Sequence, residues 1–233
     1  MTDDARRDEL AANLADVRSR MDAAARGAGR DPAELTLVAI TKTWPASDVR
    51  RLVELGVLDI GENRDQEAVG KARELVGLPI RWHFVGQLQT NKVKSVVEYA
   101  HVVESVDRPR LVAALDRACG AAGRPVSCLV QVALDDVAGR GGVVPAEMAA
   151  LASQVASCAN LTLGGLMAVA PLGMDPDVAF GRLAELHREL RGVHPQATML
   201  SAGMSGDLEA AVRHGATHVR IGTAVLGHRA GIG

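Results

Sequence analysis

Aromatic residues are nearly missing from this chain: two Phe, one Tyr and two Trp make up 2% of its 233 residues. So sparse a set provides no row of stacking platforms for single-stranded nucleic acid. An excess of one charge is missing too. Twenty-six Lys and Arg stand against 28 Asp and Glu, a formal net charge of −2, so there is no basic footprint for general nucleic-acid binding. The three cysteines, Cys119, Cys128 and Cys158, are odd in number, lack CxxC spacing and sit among apolar or small residues. They read as buried free thiols in a reducing compartment. No run approaches the roughly 18 apolar residues of a membrane span. The N-terminus MTDDARRDEL carries acids where a signal peptide needs an apolar core. A soluble cytoplasmic protein with no membrane or nucleic-acid partner is expected.

Several chemistries lack their motifs. There is no GxGxxG, and Gly70-Lys71 has neither the upstream glycine nor the following Ser/Thr of a P-loop. Gly203-Met204-Ser205-Gly206-Asp207 is not GxSxG, because Asp207 stands where the last glycine belongs. The histidines show no HExxH or other tight ligand spacing, so no metal site is expected.

What is present is an eightfold alternation of strand and helix. Thr2 to Ala28 reads as an amphipathic helix with Leu10, Leu14, Val17 and Met21 on one face. Eight strands are then expected at Leu35 to Thr41, Val57 to Ile60, Trp82 to Val85, His101 to Val106, Val126 to Leu134, Leu161 to Val169, Ala197 to Leu200 and Thr217 to Ile221. Helical patterns separate them, and Gly56 suits a helix C-cap. Several strands lack polar alternation, as when both faces are buried. The pattern predicts one α/β domain over residues 1–233, a single-domain (β/α)₈ TIM barrel with an extra N-terminal helix (1–30) packed on it. A doubly wound open sheet is the alternative.

In such a barrel the chemistry gathers where strands end. Lys42 follows the first strand at once, in LTLVAITKTWP; a stem partly desolvated there would favour the neutral, nucleophilic amine. Asn63 ends the second strand, His83 lies in the third and Met167 in the sixth; Ser201 to Ser205 follow the seventh, and Arg220 to Thr223 close the eighth. Each has a plainer reading: a strand-end lysine, a helix cap, a core imidazole, a buried ion pair. The segments around Ser205-Gly206 and Gly222-Thr223 pair glycine with a hydroxyl at turns where a phosphate could be held. Lysine, phosphate cradle and arginine together suggest pyridoxal 5′-phosphate, with Lys42 bonded to it and Arg220 facing the pyridine nitrogen.

The segments LVAITKTWP, IGENRDQEA, WHFVGQLQTNK, GLMAV, SAGMSGD and VRIGTAVLG, which run in order from Leu37 to Gly227, resemble the pyridoxal-phosphate homeostasis protein family. The fold of that family is similar to the N-terminal barrel of alanine racemase. The resemblance implies that Lys42 carries the Schiff base and that Ser205, Gly206, Gly222 and Thr223 hold the phosphate, with Ser201 in the same loop. It places Arg220 near the pyridine nitrogen and Asn63, His83 and Met167 around the pocket. Asn91 and Lys92 match a family motif with a surface or a ligand role. The sequence departs from the family after the fifth strand, where Ala133, Val137 and Arg140 replace an Asn, an acid and a Lys, and at Ala202, where Met is common.

The function implied is cofactor storage, buffering or delivery without turnover, by a monomer that serves pyridoxal-phosphate-dependent apoenzymes. Two alternatives stay open. One is a weak amino-acid racemase using Lys42 and His83 as bases; the other is a partner-binding protein with the cofactor as sensor ligand. A racemase needs a base on each face, and the single tyrosine, Tyr99, is expected on an outer helix with no second domain following.

Overall fold

The computed structural model describes residues 3–135 and 141–227; Val137 and Arg140 lie outside them. In chain order the elements are α1 (Asp3–Gly27), β1 (Thr36–Ile40), α2 (Ala46–Glu54), β2 (Asp59–Glu62), α3 (Asp65–Glu74), β3 (Arg81–Phe84), α4 (Val93–Tyr99), β4 (Val102–Val106), α5 (Pro109–Ala122), β5 (Val126–Gln131), α6 (Pro145–Ser157), β6 (Leu161–Met167), α7 (Pro176–Val193), β7 (Met199–Ser201), α8 (Leu208–Arg213), β8 (His218–Ile221) and α9 (Thr223–Leu226). Pro109, Pro145 and Pro176 open three of the helices, where a missing N–H costs nothing. Gly56 follows α2 at φ +82°, the left-handed conformation of a helix stop.

The strands are all parallel and pair in sequence order, and β1 pairs with both β2 and β8 to close the barrel. Closure excludes the open-sheet alternative. The most displaced strand is β2. It runs from Asp59 to Glu62 because its ladder to β3 joins Asp59 to Arg81 and Glu62 to Phe84. The cross-strand register, not the local apolar run Val57 to Ile60, decides its ends. The short α9 after β8 is not legible in the sequence.

The main apolar layer lies between strands and helices, and includes Leu10, Leu14, Val17 and Met21 from α1. Val102, Leu129 and Met167 form a separate cluster, the apolar part of the barrel lumen, with Met199 packed on it. α1 packs against α8 and α9. There Arg6 donates to Asp48 at 2.9 Å and to the Leu226 carbonyl at 3.0 Å, and its guanidinium lies 4.5 Å from the Trp44 ring centroid. The N-terminal helix therefore braces the chain on both sides of the β8 rim.

Candidate functional site

β1 ends at Ile40, Thr41 is fully buried, and Lys42 emerges exposed on the turn to α2. The partly desolvated stem expected from the sequence is not found, because the strand ends at Ile40, one residue earlier than expected, and the turn leaves Lys42 exposed. The next residue, Thr43, has φ +66° and is the one non-glycine with positive φ among the described residues. A β-branched side chain is strained there, so neighbouring bonds must hold the turn. α3 supplies them. Glu67 Oε2 accepts the Thr43 N–H at 2.9 Å, and Lys71, one helical turn on, donates from Nζ to the Thr41 carbonyl at 2.7 Å. Lys71 also donates to Glu62 Oε1 at 2.5 Å, which accepts the Thr41 hydroxyl as well. Burial pushes the Glu62 carboxyl above its ordinary pKa, and the Lys71 charge and these hydrogen bonds offset only part of that.

Across the rim, Gly222 leads into α9, and Thr223, the first residue of that helix, is exposed. The Gly222 carbonyl accepts from Val225 and Leu226, which closes the single turn of α9. A cavity of about 180 Å³ joins the two sides, lined by Lys42, Thr43, Trp44, Gly222, Thr223 and Gly227.

The loop after β7 is tightly braced. Gly203 has φ +90°, and a Cβ there would lie 2.6 Å from that of Ala211. The Met204 N–H is taken by Asp207 Oδ1 at 2.6 Å. The Ser205 carbonyl accepts from Arg20 of α1, which also grips Glu209. Ser205 is half-buried and Gly206 exposed.

The remaining candidates are placed differently. Ser201 is fully buried in the lumen; its hydroxyl donates to Glu104 Oε2 at 2.6 Å and accepts from Arg220 Nη1 at 2.7 Å. Arg220 also donates to the Ala168 carbonyl at 2.8 Å and lies 3.8 Å from Glu104. His83 is fully buried, with Nδ1 2.7 Å from Glu104 Oε1 and Nε2 2.9 Å from Asp59 Oδ1. Both ring nitrogens of His83 are thus engaged inside the barrel, away from the rim cavity. Burial alone would lower the His83 pKa, but the hydrogen bonds and charges of Asp59 and Glu104 outweigh it and raise it. Burial likewise opposes ionisation of Glu104; the bond and charge of His83, with Arg220 and Ser201, win and bring its pKa down to about 2.

Met167 ends β6 in the luminal cluster. Asn63, half-buried at the end of β2, has a buried Oδ1 with no hydrogen-bond partner among the described residues. Its carbonyl passes so close to Gly86 that a Cβ there would lie 2.2 Å away. Asn91 and Lys92 sit in a short 3₁₀ turn before α4, exposed and half-buried respectively. Tyr99 lies buried against Trp82 on the outer wall, with ring centroids 6.3 Å apart. Sequence reasoning passed over Glu104, Asp59, Glu67 and Lys71. A signal existed for Glu104, a lone carboxylate within the apolar strand VVESV, since an unpaired buried acid is costly.

Comparison with known proteins bears on this arrangement. Residues 6–230 match the model of the alanine racemase N-terminal domain. A pyridoxal phosphate homeostasis protein from Mycobacterium leprae is 47% identical over 95% of this chain and 93% of its own. One from Pseudomonas aeruginosa is 41% identical over 94% and 96%. The structure of PipY from Synechococcus elongatus, solved with PLP bound, superposes with a TM-score of 0.82 at 35% identity, covering 94% of this chain and all of that one. With a closed eight-stranded parallel barrel and identity of this extent along nearly its whole length, the chain belongs to the pyridoxal phosphate homeostasis protein family, on the fold of the alanine racemase N-terminal domain.

Proposed function

We propose that this protein binds pyridoxal 5′-phosphate at the C-terminal rim of the barrel and serves intracellular cofactor homeostasis, holding the cofactor and yielding it to apoenzymes. The observation that carries the reading is the shared cavity: Lys42, Gly222 and Thr223 line one space, an amine facing a glycine–hydroxyl turn at a helix start. The relatives named for this role and the neighbour solved with PLP support it.

The residues present fit such a group. The Lys42 amine is exposed and can bond an aldehyde carbon with loss of one water. The Thr223 hydroxyl, beside Gly222 in the cavity wall, offers a donor to a phosphate. The Asn63 Oδ1 at the end of β2, buried and without a hydrogen-bond partner among the described residues, is an acceptor that a polar ligand can satisfy. The bound cofactor would supply an electron-accepting ring. Arg220, a cation held in the lumen by Ser201 and the Ala168 carbonyl, would oppose protonation of a pyridine nitrogen placed beside it and so restrain that ring. Carriage is favoured over racemisation because the candidate second bases are occupied or remote: His83 is bonded at both nitrogens, and Tyr99 is buried against Trp82.

The test is the absorption spectrum of wild type and Lys42→Ala with added pyridoxal phosphate, before and after borohydride. A visible band that borohydride traps on Lys42 is expected. Its absence from wild type would remove the reading; Cα-hydrogen exchange of an amino acid, lost in Lys42→Ala, would replace carriage with catalysis.

A further inference from the structure

The lumen of this barrel holds an unusual amount of charge. Layers of branched aliphatic side chains commonly fill such a space; here Asp59 of β2, His83 of β3, Glu104 of β4, Ser201 of β7 and Arg220 of β8 form one continuous hydrogen-bonded chain. Its proton assignment follows from the partners. Both carboxylates can only accept, so His83 must donate from Nδ1 and from Nε2 and is an imidazolium. Ser201 has one hydroxyl proton, given to Glu104, so it can only accept from Arg220. The charges alternate as Asp59 negative, His83 positive, Glu104 negative and Arg220 positive. The sum is neutral, which removes most of the penalty for burying each.

We propose that Glu104 is a positioning residue for Arg220, acting through Ser201, and that His83 and Asp59 anchor Glu104 from its other side. The inference rests on the pyridoxal-phosphate reading, in which Arg220 meets the ring-nitrogen edge of the cofactor. Arg220 is only 5% exposed, and its two terminal nitrogens are tied to opposite supports, Ser201 on β7 and the Ala168 carbonyl just after β6. Two of its five N–H donors are used in this way. Side chains from β2, β3, β4 and β7 thus fix where one cation from β8 points. Without the Glu104 charge, 3.8 Å away, the buried guanidinium would lose the stronger of its two counter-charges and keep only the weaker pull of Asp207.

The experiment is equilibrium titration with pyridoxal phosphate, with the spectrum of the bound cofactor, on wild type, Glu104→Gln, Arg220→Gln and the double variant, each first shown to be folded by urea unfolding. Glu104→Gln should weaken binding about tenfold and move the absorption maximum, and should have no further effect once Arg220 is Gln, since residues acting as one unit are not additive. Ser201→Ala should repeat this pattern in milder form, and it carries the same cycle alone if Glu104→Gln does not fold. Wild-type affinity and spectrum in the single variants would overturn the inference, as would an undiminished loss in the Arg220→Gln background. Failure of wild type itself to bind would instead bring down the cofactor reading, and the inference with it.

Discussion

Lys71 Nζ donates to the carbonyl oxygen of Thr41 at 2.7 Å, so a lysine buried on α3 holds the residue immediately before the exposed Lys42. The same ammonium pairs with Glu62, which is fully buried. Lys71→Met should therefore destabilise the fold by about 3 kcal/mol, because it leaves a buried carboxylate without its counter-charge. Urea unfolding measures this. Lys71→Met/Glu62→Gln should recover part of the loss, and borohydride trapping on Lys42 should slow in the single variant.

Thr223→Ala removes a hydroxyl from the rim cavity while leaving α9 able to form. A hydrogen bond to a charged group of this kind contributes about 1–2 kcal/mol, roughly a 5- to 30-fold loss of cofactor affinity. Dialysis titration reads it directly. Unchanged retention would take Thr223 out of the site.

Two luminal histidines give stability a maximum in pH. His83 has a raised folded pKa, so its contribution is complete below the unfolded value of 6.5 and is lost as pH rises through the folded one. His218 is opposite. Burial, then the charge of His83, lowers its pKa to about 4 against the weaker pull of Glu104 and Asp59, so its contribution holds above 6.5 and is lost as pH falls toward 4, by roughly 3 kcal/mol. Chemical unfolding across pH should show greatest stability near 6.5. His83→Asn should flatten the alkaline limb and His218→Asn the limb between 6.5 and 4. Below 4.5 a further loss is expected as Glu104 is protonated toward its folded pKa of about 2.

Arg6 links α1 to the β8 rim through its bonds to Asp48 and the Leu226 carbonyl. Arg6→Met should cost about 2 kcal/mol in stability, less than a broken isolated pair because Arg51 still serves Asp48 at 2.7 Å. Amide hydrogen exchange over Thr223–Leu226 should quicken more than exchange in β4 or β5. Uniform protection loss would mean that α1 stabilises the barrel without tethering the rim.

The barrel was legible because its determinants are local. Leu10, Leu14, Val17 and Met21 at helical spacing are buried as their period requires, and prolines mark the starts of α5, α6 and α7. The site was legible only as positions along the chain. Gly222 and Thr223 do share a cavity with Lys42, but Ser201 and His83 point inward and spend their hydrogen bonds on Glu104.

The sequence by itself determined the alternation of elements, the burial of their apolar faces and the arrival of Lys42, Asn63 and Thr223 at strand ends, since these follow from side-chain period and turn chemistry within a few residues. Only the tertiary structure decided which side of the wall each polar group faces and which partner it meets. In a closed barrel that depends on the register of every strand against its neighbours. Glu104 and Ser201, 97 residues apart, meet at 2.6 Å because barrel closure brings β4 and β7 to face one another across the same lumen.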